Sequence, residues 1–107
     1  MYTRVVEITS KSGKARELCG MIDDKVLPIL RKQAGFVDEI VMVSENEPNR
    51  ILALSFWNTP EDAQRYEHEQ FDTVQKIVQQ MLETAPVVRT FDVRTSTAHR
   101  VTARQAA

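Results

Sequence analysis

One cysteine, two histidines, one tryptophan and three glycines among 107 residues leave several chemistries short of parts. A lone Cys19 excludes an internal disulfide and reads as a small core residue in a reducing compartment. Gly13, Gly20 and Gly35 are isolated, so the chain has no glycine-rich phosphate loop. No nucleophile elbow or Cys/His pair stands out. His68 and Asp72 share a helical face at i and i+4, but two ligands fall short of the three or four that a metal site uses. The acidic run around them reads as a solvated face, and no metal is expected. Neither charge sign dominates: 14 basic residues meet 15 acidic ones, for a net charge of −1. Neither nucleic acid nor an anionic membrane is therefore an expected partner. The longest apolar run, Ile51 to Trp57, is interrupted by Ser55 and too short to cross a bilayer. Met-Tyr-Thr-Arg leads into a strand-like pattern without an apolar signal core, so the expected location is cytoplasmic.

What is present is periodicity. Tyr2 to Ser10 has β-branched Val5, Val6 and Ile8 with Arg4 and Glu7 between them, the pattern of a strand. After Lys11-Ser12-Gly13-Lys14, where Ser12 is a plausible N-cap, Leu18, Ile22, Val26, Ile29 and Leu30 line one face of a helix. Pro28 interrupts that helix and predicts a kink, or a helix that ends and resumes, near Lys25 to Leu27, and Gly35 stops it. Phe36 to Ser44 and Arg50 to Trp57 form two strands joined by the turn-rich 45–49. Thr59 then caps a second helix, with Pro60 at its first position and Glu61 and Asp62 suiting the helix dipole. Its period slips between Tyr66 and Val74, which predicts a break. A fourth strand runs from Val87 to Thr95. The order β-α-β-β-α-β is that of the ferredoxin-like fold, an α+β domain with an antiparallel sheet and two helices on one face.

Both faces of the third strand are apolar: Leu52, Leu54 and Phe56 on one, Ile51, Ala53 and Trp57 on the other. A sheet with one wet face would alternate apolar with polar. Two helices cover one face, so a second copy of the sheet is the economical cover for the other, which predicts a homodimer. The domain is expected over residues 1–95. Residues 96–107, with His99, Arg100 and Arg104 and no acid, read as a flexible tail or an arm across the dimer.

The stretch Val26 to Phe36, the strand closing on Trp57, the capped Thr59-Pro60-Glu61-Asp62-Ala63 and the segment Tyr66 to Phe71 resemble the antibiotic biosynthesis monooxygenase-like family over Tyr2 to Val93. The resemblance implies a dimeric α+β barrel with a pocket between sheet and helices in each subunit. It also implies one of several activities: cofactor-independent oxidation of aromatic phenols or quinols, haem degradation, or handling of quinones or signal molecules. Similar haem-degrading members use an Asn on the first strand and a Trp and an axial His on the second helix. Aligned positions here are Glu7, Tyr66 and Gln75, and none matches.

Cofactor-independent oxidation needs an apolar slot, a base and a group that steadies an anion. His68 is the expected base, histidine being the residue type whose unperturbed pKa lies near neutrality, with Tyr66 beside it in the catalytic set. Trp57, Phe71 and Met42 are the expected walls, and Arg50 or Arg89 the support for an oxyanion. Each has a plainer reading. Trp57 serves equally as a core anchor, Tyr66 as a residue packed on the sheet, and His68, between Glu67 and Glu69, as a solvated side chain. The expected function is thus a monooxygenase without metal, flavin or other cofactor, acting on a small aromatic or quinol-like substrate. The alternative is a non-catalytic dimeric module that binds a small apolar ligand.

Overall fold

The computed structural model describes residues 1–101. Four strands, β1 (Tyr2–Thr9), β2 (Phe36–Val43), β3 (Arg50–Trp57) and β4 (Val87–Asp92), form one antiparallel sheet in the order β2-β3-β1-β4. That order and connectivity are ferredoxin-like. Helices α1 (Ala15–Met21) and α2 (Leu27–Arg31), joined by a π-helical turn at Ile22–Val26, make the first helical element, and α3 (Pro60–Val78) is the second. The helical face of the sheet carries the core: Val6, Ile8, Ile51 and Trp57 pack on Leu18, Ile22, Val26, Leu30, Tyr66, Val74 and Val78.

Local chemistry accounts for most of these elements. Thr59 accepts the Asp62 backbone N–H at 3.1 Å and donates its hydroxyl to Asp62 Oδ2 at 2.9 Å, so the α3 entry is capped with Pro60 in its first turn. The proline in the first helical element acts as expected, but the result is more specific than a kink. Pro28 lacks the N–H of a regular α-helix, and the chain responds with five residues of wider π turn, in which Leu27 N–H reaches Ile22 O. Ser12 does not cap α1, which begins from Lys14 without a side-chain cap.

The break expected in α3 is absent, since the helix runs unbroken over nineteen residues. The polar residues Glu67, His68 and Glu69 are simply its solvated side. Phe71 stays half-buried and turns back toward Tyr66, so the slip in the apolar period is a widening of the buried face. At the bottom of that helix Gly35, at φ +82°, lies against the side chain of Asp62, and its carbonyl accepts Asn58 N–H at 2.8 Å.

The other face of the sheet is open. Register places Val5, Ile40, Met42, Leu52, Leu54, Phe56, Val87 and Phe91 on it. Ile40, Met42, Val87 and Phe91 are each 42–52% exposed. Glu7 lies among them, holding Arg50 at 3.1 Å and Arg89 at 3.2 Å. Beyond β4, Ser96 turns the chain by accepting the N–H groups of Ala98 and His99, and His99 meets Asp38 Oδ2 at 2.8 Å beside Phe56. Arg104 and the rest of 102–107 lie outside the described residues.

Candidate functional site

A narrow cleft of about 70 Å³, open at its mouth, lies between the helical face of the sheet and α3. Its walls are mainly apolar, with Val6, Ile22, Leu30, Val74 and Val78 prominent, and five polar residues join them: Arg4, Glu39, Ser55, Tyr66 and Gln75. The strand pleat explains the first two. Arg4 shares its face of β1 with Val6 and Ile8, so a charged side chain enters the core in phase with apolar neighbours. Glu39 shares its face of β2 with Val41 by simple alternation, and a bulge between Phe36 and Asp38 puts Phe36 on that same face.

An aromatic column backs the cleft. Trp57 is fully buried, stacks on Tyr66 at 5.1 Å, meets the edge of Phe36 at 5.6 Å and donates its indole N–H to Ser55 Oγ at 2.9 Å. Tyr66 meets Phe71 edge-on at 6.4 Å. Arg4, only 3% exposed, inserts its guanidinium against both rings, 4.5 Å from the Phe71 centroid and 5.3 Å from that of Tyr66. Its Nη2 has no hydrogen-bond partner among the described residues and faces Glu67 Oε1 only at 3.6 Å.

Burial sets the protonation of two groups here. It pushes the Tyr66 phenol up to about 12, with the Arg4 charge pulling the other way. Tyr66 is therefore a hydrogen-bond donor near neutrality and not an anion. Burial also raises the Glu39 carboxyl above the usual carboxylate value; Asp23 and Asp38 add to this and Arg31 opposes it. A raised carboxyl in an apolar cleft is the kind of group that accepts and returns a proton. Cys19, half-buried outside the cleft, has its thiol raised by burial and by Asp23, which keeps it in the weakly reactive thiol form.

The residues singled out from the sequence therefore separate into four places. Tyr66 and Phe71 line the cleft. Trp57 lies directly behind Tyr66 and does not reach the cavity. His68 is exposed and does not line the cavity, because two residues beyond Tyr66 carries a helix about 200° round to its far side. Met42, Arg50 and Arg89 are on the opposite face of the sheet, where Glu7 engages both arginines. Arg4 and Glu39, which also line the cleft, were not singled out from the sequence. The signal for Arg4 was its parity with Val6 and Ile8; the bulge in β2 concealed that of Glu39.

Haem does not fit this cleft. None of its lining residues is a histidine, and Gln75, where similar haem-degrading members carry the axial ligand, is a poor substitute. No group of three metal-ligating side chains converges among the described residues, and none of their helices is long and apolar enough to cross a membrane.

Comparison with known proteins agrees with the fold. A Bordetella bronchiseptica protein assigned by name to the antibiotic biosynthesis monooxygenases superposes with a TM-score of 0.77 at 15% identity, covering 84% of this chain and 93% of that one. A point mutant of SnoaB, a cofactor-independent oxygenase from Streptomyces nogalater, gives 0.76 at 16% identity, covering 92% and 97%. A Nitrosomonas europaea protein of unknown function gives 0.75 at 12%, covering 90% and 91%. No curated protein matches the chain in sequence. The model of the antibiotic biosynthesis monooxygenase family matches residues 1–80, about three quarters of the chain. The chain belongs to the antibiotic biosynthesis monooxygenase family.

Proposed function

We propose that this protein is a cofactor-independent monooxygenase that oxidises a small aromatic, quinol-like substrate in the cleft between the sheet and α3. The observation that carries this reading is one apolar, aromatic-backed cavity holding a carboxylate of raised pKa. Such a substrate supplies its own electrons. Glu39 takes its proton, the resulting carbanion-like ring carbon adds dioxygen, and the hydroperoxide loses water. The ring C–H becomes C=O, one oxygen atom enters the product and the other leaves as water. Tyr66 donates a hydrogen bond to the substrate oxygen, Phe71 flanks the ring, and Trp57 fixes Tyr66 from behind. The expected base, His68, has no place in this scheme, because it lies in solvent.

Oxygen uptake with a panel of hydroquinones and naphthols tests the proposal. Glu39→Gln should lower the rate by about 100-fold or more, as loss of a positioned base does. His68→Ala should leave it unchanged. Full activity in Glu39→Gln removes Glu39 from the role.

The second reading is a non-catalytic module that binds a small apolar ligand, favoured by the cleft's preponderance of aliphatic side chains. Quenching of Trp57 fluorescence by ligands that provoke no oxygen uptake would select it. In either case the subunit is proposed to act as a homodimer through the open face of its sheet, in the cytoplasm. The functional domain is taken as residues 1–95, with 96–107 as a flexible tail or an arm across the dimer.

A further inference from the structure

We infer that the cleft selects ligands bearing a negative charge beside an aromatic ring, and that Arg4 is the receptor for that charge. This rests on the cleft being the ligand site but not on turnover. A guanidinium that is 97% buried is costly unless paired, and this one is incompletely paired. Two of its contacts are ring faces, Phe71 and Tyr66. Its acidic neighbour Glu67 is half-exposed and, at 3.6 Å, too distant for a hydrogen bond. Nη2 therefore keeps a donor without an acceptor, on a side chain that lines the cavity.

The surroundings narrow the ligand. Tyr66, held protonated by burial, adds a second donor next to Arg4. Val6, Val74 and Val78 offer nothing polar, so the body of the ligand is apolar. Glu39, also in the lining, disfavours a second anionic group. Arginine presents a planar fork suited to two oxygens at once. The ligand class is an aryl carboxylate, or a phenol or enol with an acidic oxygen flanked by a second acceptor.

Isothermal titration of the full chain with 2-naphthoate and with neutral 2-naphthamide tests this without oxidation chemistry. Naphthoate should bind about tenfold tighter or more, the range for a hydrogen bond to a charged group. Arg4→Met should erase that preference and retain naphthamide binding. Equal affinities in the wild type, no naphthoate binding at millimolar concentration, or a preference that survives Arg4→Met would each overturn the inference. If Arg4→Met does not fold, Arg4→Gln removes the same charge, and the wild-type ratio decides by itself. Neither ligand is a quinol, so these outcomes are separate from those of the oxygen-uptake experiment.

Discussion

At the scale of single residues, the cleft is governed by groups whose ordinary behaviour burial has changed. The raised Glu39 carboxyl has a consequence for stability. Well below its usual value of 4.5 it is protonated in folded and unfolded chains alike and contributes nothing. As pH rises past that value, the unfolded chain ionises first, and stability falls until the folded-state pKa is passed. Glu39→Gln should therefore be more stable than wild type at pH 7 and show no such gain at pH 3, as read by thermal melts at both. Gly35 gives a second prediction. Its left-handed backbone and the Asp62 side chain against it leave no place for a Cβ, so Gly35→Ala should cost about 2 kcal/mol or more in urea unfolding. Only part of the residue-level picture was legible in the sequence. Tyr66 and Phe71 were recognisable as aromatics at the join of strand and helix. His68 was misleading because its chemistry suits catalysis while its helical phase does not.

Among elements, α3 bears the most weight, since it supplies the aromatic wall and closes the core over the sheet. Its start depends on one hydroxyl. Thr59→Ala should cost about 1 kcal/mol of stability, measured by chemical denaturation, with the fold intact. The order of elements, the hairpin and this cap were readable because each follows from local rules: alternation, turn residues and the Thr-Pro-Glu-Asp sequence. The bulge in β2 was not. The extra residue, Val37, leaves no trace because the run that follows it, Ile40 to Val43, is apolar on both faces, yet relative to Phe36 it decides that Glu39 enters the cleft. The π turn lies between these cases, with its cause visible as Pro28 and its form fixed only by packing.

For the whole molecule, the dominant fact is that one face of the sheet is covered and the other is not. A contiguous apolar surface of this kind marks an interaction site. Wild-type protein should sediment as a dimer at micromolar concentration, and Ile40→Glu, at a position already 42% exposed, should give a folded monomer. A stable wild-type monomer would remove the case for the dimer. The apolar character of both sheet faces could be read from β3 alone, whereas the Arg50–Glu7–Arg89 row across the open face required the register of three strands. In the proposed dimer that row has a further effect. Greasy surfaces accept many mates in many orientations, but charges fixed among them do not. In that dimer the row would fix orientation, because a docking that sets like charges against each other is penalised.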